Sequence, residues 1–471
     1  MKQDSGKTNI PGMNAENPGR ERLLSCGIDI GTTTTQVVFS RLSLEQSGGF
    51  GQVPSVSISD REIVFEGAIH LTPLTGDNAV DAKSVAALIR EDFRQGGFSP
   101  ADVQTGAVII TGESARKRNA AEVLSAISSL AGDFVAAEAG PDLESILAGR
   151  GAGADVLSER TGKKVLNIDI GGGTSNLCLF EDGEPVECTA CNIGARYMSG
   201  PDLVLQEPET VCRELADALA SIAGLAPMTA FARDLLIPGE KAIAVRPDII
   251  SFSGGVAACM KEDEQAHGNG PSDKEDKQIQ GKGLPDGAVL LAGKENLFPY
   301  GDLGLLLARA VRNNSYFAAA DTICGAETVR ATVTGAASFS MEISGSTVFC
   351  RDVTFPLKNV PVFSNLSNGD HLQLPSFALA MTGPASPSFQ EVEAIADALY
   401  SVLAESEGVI PILLEHDFAK ALGQALKRRL KTGPILCLDG ISVKQGDYID
   451  IGAPVAGGLA YPVTVKTMVF G

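Results

Sequence analysis

The sequence predicts an α/β protein of two related halves followed by a C-terminal α/β portion. Three observations carry that expectation. A strand–turn–strand unit with a small-residue turn occurs twice, as GIDIGTTTT at 27–35 and NIDIGGGTSN at 167–176, with Asp29 and Asp169 140 positions apart. Each copy leads into alternating helical and strand periodicities. A β-α-β-α-β series closes the chain.

In chain order, residues 1–22 are polar, rich in Gly, Pro and Asn, and read as a disordered tail without the apolar centre of a signal peptide. Residues 23–30 and 36–41 read as strands around the polar turn 31–35. A helix over 79–95 places Val85, Leu88, Ile89 and Phe93 on one face. A buried strand at 108–110 precedes a helix over 115–130 with Val123, Ile127 and Leu130 at helical spacing. A strand at 134–137 and a helix over 142–148, entered through Pro141, follow. The opening pattern then recurs. Strands 164–170 and 177–180 flank the turn 171–175, helices cover 209–223 and 228–236, and a buried strand over 248–252 runs into Ser253-Gly254-Gly255. Residues 261–287 are almost devoid of apolar side chains and read as an exposed, mobile insertion. The chain recovers order at 289–292, and a helix over 302–311 comes next. Residues 329–355 alternate in β fashion. The closing series is strand 377–381, helix 390–403, strand 409–414, helix 418–430 and strand 435–439. The expected division is a tail at 1–22, a first half at 23–160, a second half at 161–320, and a portion at 321–471 that either completes the first half or stands alone.

Composition excludes several functions. Among 471 residues, 38 Lys+Arg stand against 58 Asp+Glu, a formal charge of −20. Reading a phosphate backbone needs clustered cations, so a nucleic-acid partner is not expected. No apolar run is long enough to span a membrane, and no membrane partner is expected. Four scattered histidines leave little room for a His-rich metal site. Nine cysteines, an odd number without framework spacing, read as reduced thiols of a cytoplasmic protein. Cys188 and Cys191 form a lone CxxC, half of a zinc site at most. The basic runs Arg116–Arg118 and Lys427–Arg429 read as a solvated helix face and as charges favourable to a helix C-terminus. Cys178 and Cys259 read as buried small hydrophobes.

The repeated turn carries the chemistry. Glycines let the backbone approach a ligand closely, and successive N–H groups in such a turn form an anion nest. Threonine hydroxyls add donors. An aspartate directly before the nest would repel phosphate, so its presence points to a divalent cation between them, held through water as Mg²⁺ is. Two such turns at corresponding points of two halves can clamp one polyphosphate. The arrangement is not a P-loop, because no GxxxxGK[ST] occurs.

These turns resemble the phosphate-1 and phosphate-2 loops of the actin-like ATPases, which include sugar kinases, DnaK-type chaperones and actin. Residues 249–260 (IISFSGGVAACM) resemble the adenosine loop of that superfamily. The resemblance implies an actin-like (ribonuclease H-like) ATPase fold, with two duplicated α/β halves around a nucleotide cleft and additional C-terminal α/β elements. Residues 302–310 would then be the helix crossing between the halves. Within the superfamily, residues 110–120, 140–154, 165–174, 328–348 and 446–454 resemble the EutA family, the reactivating factors of ethanolamine ammonia-lyase. That resemblance implies a chaperone-like ATPase with ATP and Mg²⁺ as cofactors and ethanolamine ammonia-lyase, an adenosylcobalamin enzyme, as partner. It implies release of damaged cobalamin, and a cytoplasmic location associated with an ethanolamine-utilization microcompartment.

The residue roles implied are specific. Asp29 and Asp169 would hold Mg²⁺ through water. Gly31, Thr32, Thr33, Gly171, Gly172, Gly173 and Thr174 would meet phosphates, and Gly254 and Gly255 would line the nucleoside. Glu144 would orient the attacking water, against the alternative that it only complements a helix dipole. Glu113, which opens a helix, is a lesser candidate. Other readings of the same fold are a small-molecule kinase, a filament-forming relative, and a degenerate ATPase acting by binding alone. The intact Asp-Gly-Thr turns argue against the last.

Overall fold

A computed structural model of the chain describes residues 20–31, 34–47, 55–75, 79–110, 122–123, 126–127, 135–137, 141–197, 207–268, 302–339, 341–344, 347–364, 377–406 and 408–467. The chain opens with a hairpin of β1 (Arg20–Ile30) and β2 (Thr34–Ser47), then β3 (Ser55–Glu66) and the short β4 (His70–Leu71). Helix α1 (Ala82–Gly96) starts at Asp81, whose carboxylate accepts from the N–H groups of Lys83 and Ser84. It stops at Gly97, which takes the left-handed conformation at φ 74°. With β5 (Thr105–Ile110) and β6 (Val135–Ala137) the first sheet has the order β3-β2-β1-β5-β6, and β4 pairs with β2. Strand β1 is antiparallel to β2 and parallel to β5. Its core sets Ile28, Ile30, Val37 and Phe39 against Val85, Ile89 and Phe93 of α1.

The second half follows α2 (Pro141–Ala152) and α3 (Ala154–Thr161). It contains β7 (Val165–Ile170), β8 (Ser175–Glu181), β9 (Glu184–Cys191), α4 (Pro208–Ile222) and α5 (Ala230–Leu235). Then come β10 (Ile249–Ser253), α6 (Gly254–Gly268), α7 (Gly304–Asn313), α8 (Ser315–Ala318) and β11 (Asp321–Cys324). The sheet order β9-β8-β7-β10-β11 repeats the first, with the same antiparallel and parallel neighbours. The register repeats as well: Asp29 faces Gln36 across the first hairpin, and Asp169 faces Asn176 across the second.

The halves are joined by two helices, α2 and α9 (Ala331–Phe339). Helix α2 lies on β7, β8 and β9 of the second sheet, α9 lies on β1, β2 and β5 of the first, and the two pack on each other. Small residues make this possible. A Cβ added at Gly151 would strike the carbonyl of Ala331, one at Gly335 the carbonyl of Leu147, and one at Gly27 the carbonyl of Val333. Two orphan carbonyls near the end of α9 find donors in the first half: Ser40 Oγ donates to Ala337 O at 2.6 Å, and Arg61 Nε to Ser338 O at 3.0 Å. Duplicated sheets of this order, linked by such crossing helices, constitute the actin-like α/β fold.

The remaining chain forms a third sheet. It comprises β12 (Glu342–Ile343), β13 (Phe349–Arg351), β14 (Leu357–Phe363) and β15 (Ala378–Met381). After α10 (Phe389–Glu405), β16 (Pro411–Leu414), α11 (Ala419–Arg429) and β17 (Ile435–Leu438), it ends with β18 (Asp447–Ile451) and β19 (Pro462–Thr467). The order is β12-β19-β18-β14-β15-β16-β17-β13. Helices α10 and α11 cover one face. Met341, Val455 and Ala460 pack with Leu23, Leu42 and Leu44 of the first sheet.

Several expectations change. Residues 302–310 do not cross between the halves: Leu303, Leu306, Leu307 and Val311 belong to the second half's own core, and α9 makes the crossing. Residues 331–339, expected to be β, are helical, because close packing on α2 and β1 overrides their β-branched composition. Residues 20–22 of the expected tail lie in β1, and 261–268 of the expected insertion continue α6. Lys427–Arg429 have partners beyond the helix dipole. Arg429 Nε donates to Asp397 at 2.7 Å, and Arg428 and Arg429 both pair with Glu393 on α10. Residues 1–19, most of the 115–130 helix, 269–292, Glu113, Thr32 and Thr33 lie outside the described residues.

Candidate functional site

Both small-residue turns are closed in the same way. Gly31 N donates to Thr34 O at 2.8 Å, and Gly171 N donates to Thr174 O at 3.0 Å. The segment after the third strand of each half then fixes the turn from behind. In the first half, Thr72 Oγ1 donates to Gly31 O at 2.8 Å. In the second, Ala195 N donates to Gly171 O at 3.0 Å and Arg196 N to Gly172 O at 2.6 Å. The carbonyl and N–H of a trans peptide point in opposite directions. With the Gly171 and Gly172 carbonyls held toward residues 195 and 196, the N–H groups of Gly172 and Gly173 face the other side, as an anion nest requires. Gly194 allows this backing, since a Cβ there would strike the Gly172 carbonyl. Arg196 and Gly194 belong to no sequence motif that points to this site.

Asp169 is the penultimate residue of β7, beside this nest, and is 7% exposed. Burial pushes its carboxyl up to about 6, partly offset by Ser253, whose Oγ donates to Oδ2 at 2.6 Å. Asp29, at the matching place on β1, is half-buried. Gly254 begins α6 at φ 85°, where a Cβ would strike the Ile170 carbonyl, so only glycine fits there. Gly255 is exposed, with open space where a Cβ would stand. Thr174 is buried. Glu144 is half-buried in the first turn of α2, and its neighbour Ser145 anchors that turn by donating to Thr189 O on β9 at 3.2 Å.

One segment, 325–330, connects the elements. Gly254 N donates to Thr328 O at 3.1 Å. Gln36 Nε2, from the residue opposite Asp29, donates to Val329 O at 3.3 Å. Arg330 Nη2 donates to Gly67 O at 2.9 Å, and Lys261 Nζ to Gly325 O at 2.8 Å. Both halves therefore hold consecutive residues of a single short strap.

The residues present fit a Mg²⁺-bound anion. A buried carboxylate with a raised pKa is short of positive charge, and a cation supplies it. Among the described residues no cluster of three or more His, Cys, Asp or Glu could hold a metal. A cation here would depend on few carboxylates plus water and phosphate, which suits Mg²⁺. The lone CxxC is no alternative. Cys188 and Cys191 lie three apart on β9, on opposite faces and in different core clusters. Among the described residues no helix is long and apolar enough to cross a membrane.

A family model described as ethanolamine utilisation protein EutA matches residues 21–202, 281–374 and 368–471. The chain is 35% identical to ethanolamine ammonia-lyase reactivase EutA of Salmonella typhimurium, over 95% of this chain and 99% of that one. It is 34% identical to the reactivase of the same name from Escherichia coli, again over 95% and 99%. Among solved structures, the Ppx/GppA family member of Aquifex aeolicus matches 67% of this chain and 97% of its own, at 15% identity and a TM-score of 0.41. By the family model and by its relatives over nearly its whole length, the chain belongs to the EutA family.

Proposed function

We propose that this chain is a chaperone-like reactivating factor that uses ATP and Mg²⁺ to release damaged cobalamin from inactivated ethanolamine ammonia-lyase, so that adenosylcobalamin can replace it. The observation that carries the reading is the near full-length similarity to proteins named ethanolamine ammonia-lyase reactivase. The duplicated turns give it a physical basis. The N–H groups of Gly172 and Gly173 would hold phosphate oxygens, joined by Gly31, Gly171 and Thr174 and, as the sequence resemblance implies, by Thr32 and Thr33. Asp29 and Asp169 would hold the water shell of Mg²⁺, which when bound neutralises phosphate charge. Gly254 and Gly255 let a nucleoside lie against the backbone. Glu144 orients the water that attacks the terminal phosphate.

Reactivation then follows from linkage. A factor expels a ligand only by favouring a client form that binds the ligand weakly. Nucleotide state would bias how the halves sit about the 325–330 strap, and so which client form is favoured. Nine cysteines, an odd number without framework spacing, are in keeping with a reducing cytoplasm. We place the protein there, in association with an ethanolamine-utilization microcompartment.

The test uses ethanolamine ammonia-lyase inactivated with cyanocobalamin, then given this protein, adenosylcobalamin, ATP and Mg²⁺. Activity should return with ATP and stay lost without it. Equal recovery in both would contradict the proposal.

A further inference from the structure

We propose that Asn167 and Ser253 are positioning residues for Asp169, forming a buried relay that fixes its carboxylate toward the phosphate-binding turn. The inference rests on the reading of Asp169 as a holder of the Mg²⁺ water shell. Asn167 and Asp169 are two apart on β7 and share one face of the sheet. Ser253 is the register partner of Asp169 on the adjacent strand β10. All three side chains are buried. Asn167 Nδ2 donates to Ser253 Oγ at 2.9 Å, and Ser253 Oγ donates to Asp169 Oδ2 at 2.6 Å.

The direction of the relay follows from proton inventory. A serine hydroxyl has one proton to give. With an amide donor on one side, that proton is committed to the carboxylate on the other. Asn167 therefore acts on Asp169 without touching it. Among the described residues Asn167 Oδ1 has no hydrogen-bond partner, an unfavourable arrangement that an apolar residue in this interior would avoid. Helix α2 seals the row from above: a Cβ at Gly149 would stand 3.5 Å from Asn167 Cβ. No nucleotide or phosphate contact is needed from either residue.

The experiment is equilibrium binding of a fluorescent ATP analogue to the full chain, in Mg²⁺ and in EDTA. Wild type is compared with Ser253→Ala, Asn167→Leu and the double variant, with thermal melts as a control for folding. Ser253→Ala should weaken binding in Mg²⁺ roughly tenfold, the scale of a lost hydrogen bond to a charged group, and leave binding in EDTA unchanged. Asn167→Leu should weaken it less, and the double variant should match Ser253→Ala alone, because Asn167 acts only through Ser253. Ser253→Thr, which keeps the hydroxyl, should restore affinity. If Ser253→Ala does not fold, Ser253→Cys, a weak donor of similar size, should show the same loss. Additive losses, equal losses in EDTA, or no loss while wild type binds in a Mg²⁺-dependent way would overturn the relay alone. Wild type without Mg²⁺-dependent binding would overturn the nucleotide reading and the relay with it.

Discussion

A buried carboxylate is costly to ionise, and Asp169 is buried. Folding raises its pKa from 3.8 to about 6. At pH 8 the folded state bears the full cost of an ionised buried group; below about pH 4 both states are protonated and the cost is gone. Asp169→Asn is therefore expected to stabilise the nucleotide-free protein by up to about 3 kcal/mol at pH 8. The gain should shrink as pH falls from 6 toward 4, measured by urea denaturation across that range. A gain independent of pH would contradict the assignment. The same variant should lose Mg²⁺-dependent nucleotide binding, a trade of function for stability. Asp29 and Asp169 are legible in sequence because each sits in a contiguous motif that recurs. Asn167 and Ser253 are not, because their hydrogen bond spans 86 positions and exists only once β7 and β10 pair. Nor is Arg196, whose backbone rather than side chain supports the turn.

At the scale of elements, the crossing of α2 and α9 depends on glycines that admit no side chain. Gly335→Ala would drive a methyl into the Leu147 carbonyl, and backbone on both sides cannot yield cheaply. A loss of at least about 3 kcal/mol is expected, or failure to accumulate folded protein. Gly255→Ala is the contrasting case. Its Cβ would meet nothing, so stability should be unchanged or slightly improved, by up to about 1 kcal/mol. Nucleotide affinity should nonetheless fall if a nucleoside lies on that surface; unchanged affinity would remove Gly255 from the site. The hairpins and the closing β-α-β-α-β series are legible because each carries its own periodicity and turn signals. Helix α9 is not, since Thr332, Val333 and Thr334 favour strands and only the close approach of α2 and β1 makes them helical. The superfamily resemblance points instead to α7 as the crossing helix, but its apolar stripe serves the second half's own core.

At the scale of the molecule, two sheets of identical order place equivalent aspartates at equivalent strand ends, and one strap contacts both halves. On the proposed function, a protein with a charge of −20 would hold a polyanion without a broad basic surface, because the favourable charge would be local, from backbone N–H groups and a bound metal. Glu144→Gln should separate hydrolysis from binding, with turnover falling at least roughly tenfold while nucleotide affinity stays near wild type. Equal loss of both would assign Glu144 to the structure of α2. The most direct test of the central claim is a crystal structure with Mg²⁺ and a non-hydrolysable ATP analogue. One polyphosphate should touch both turns, with Asp29 and Asp169 on the water shell of a single Mg²⁺. A nucleotide held by only one turn, or bound away from both, would contradict the account.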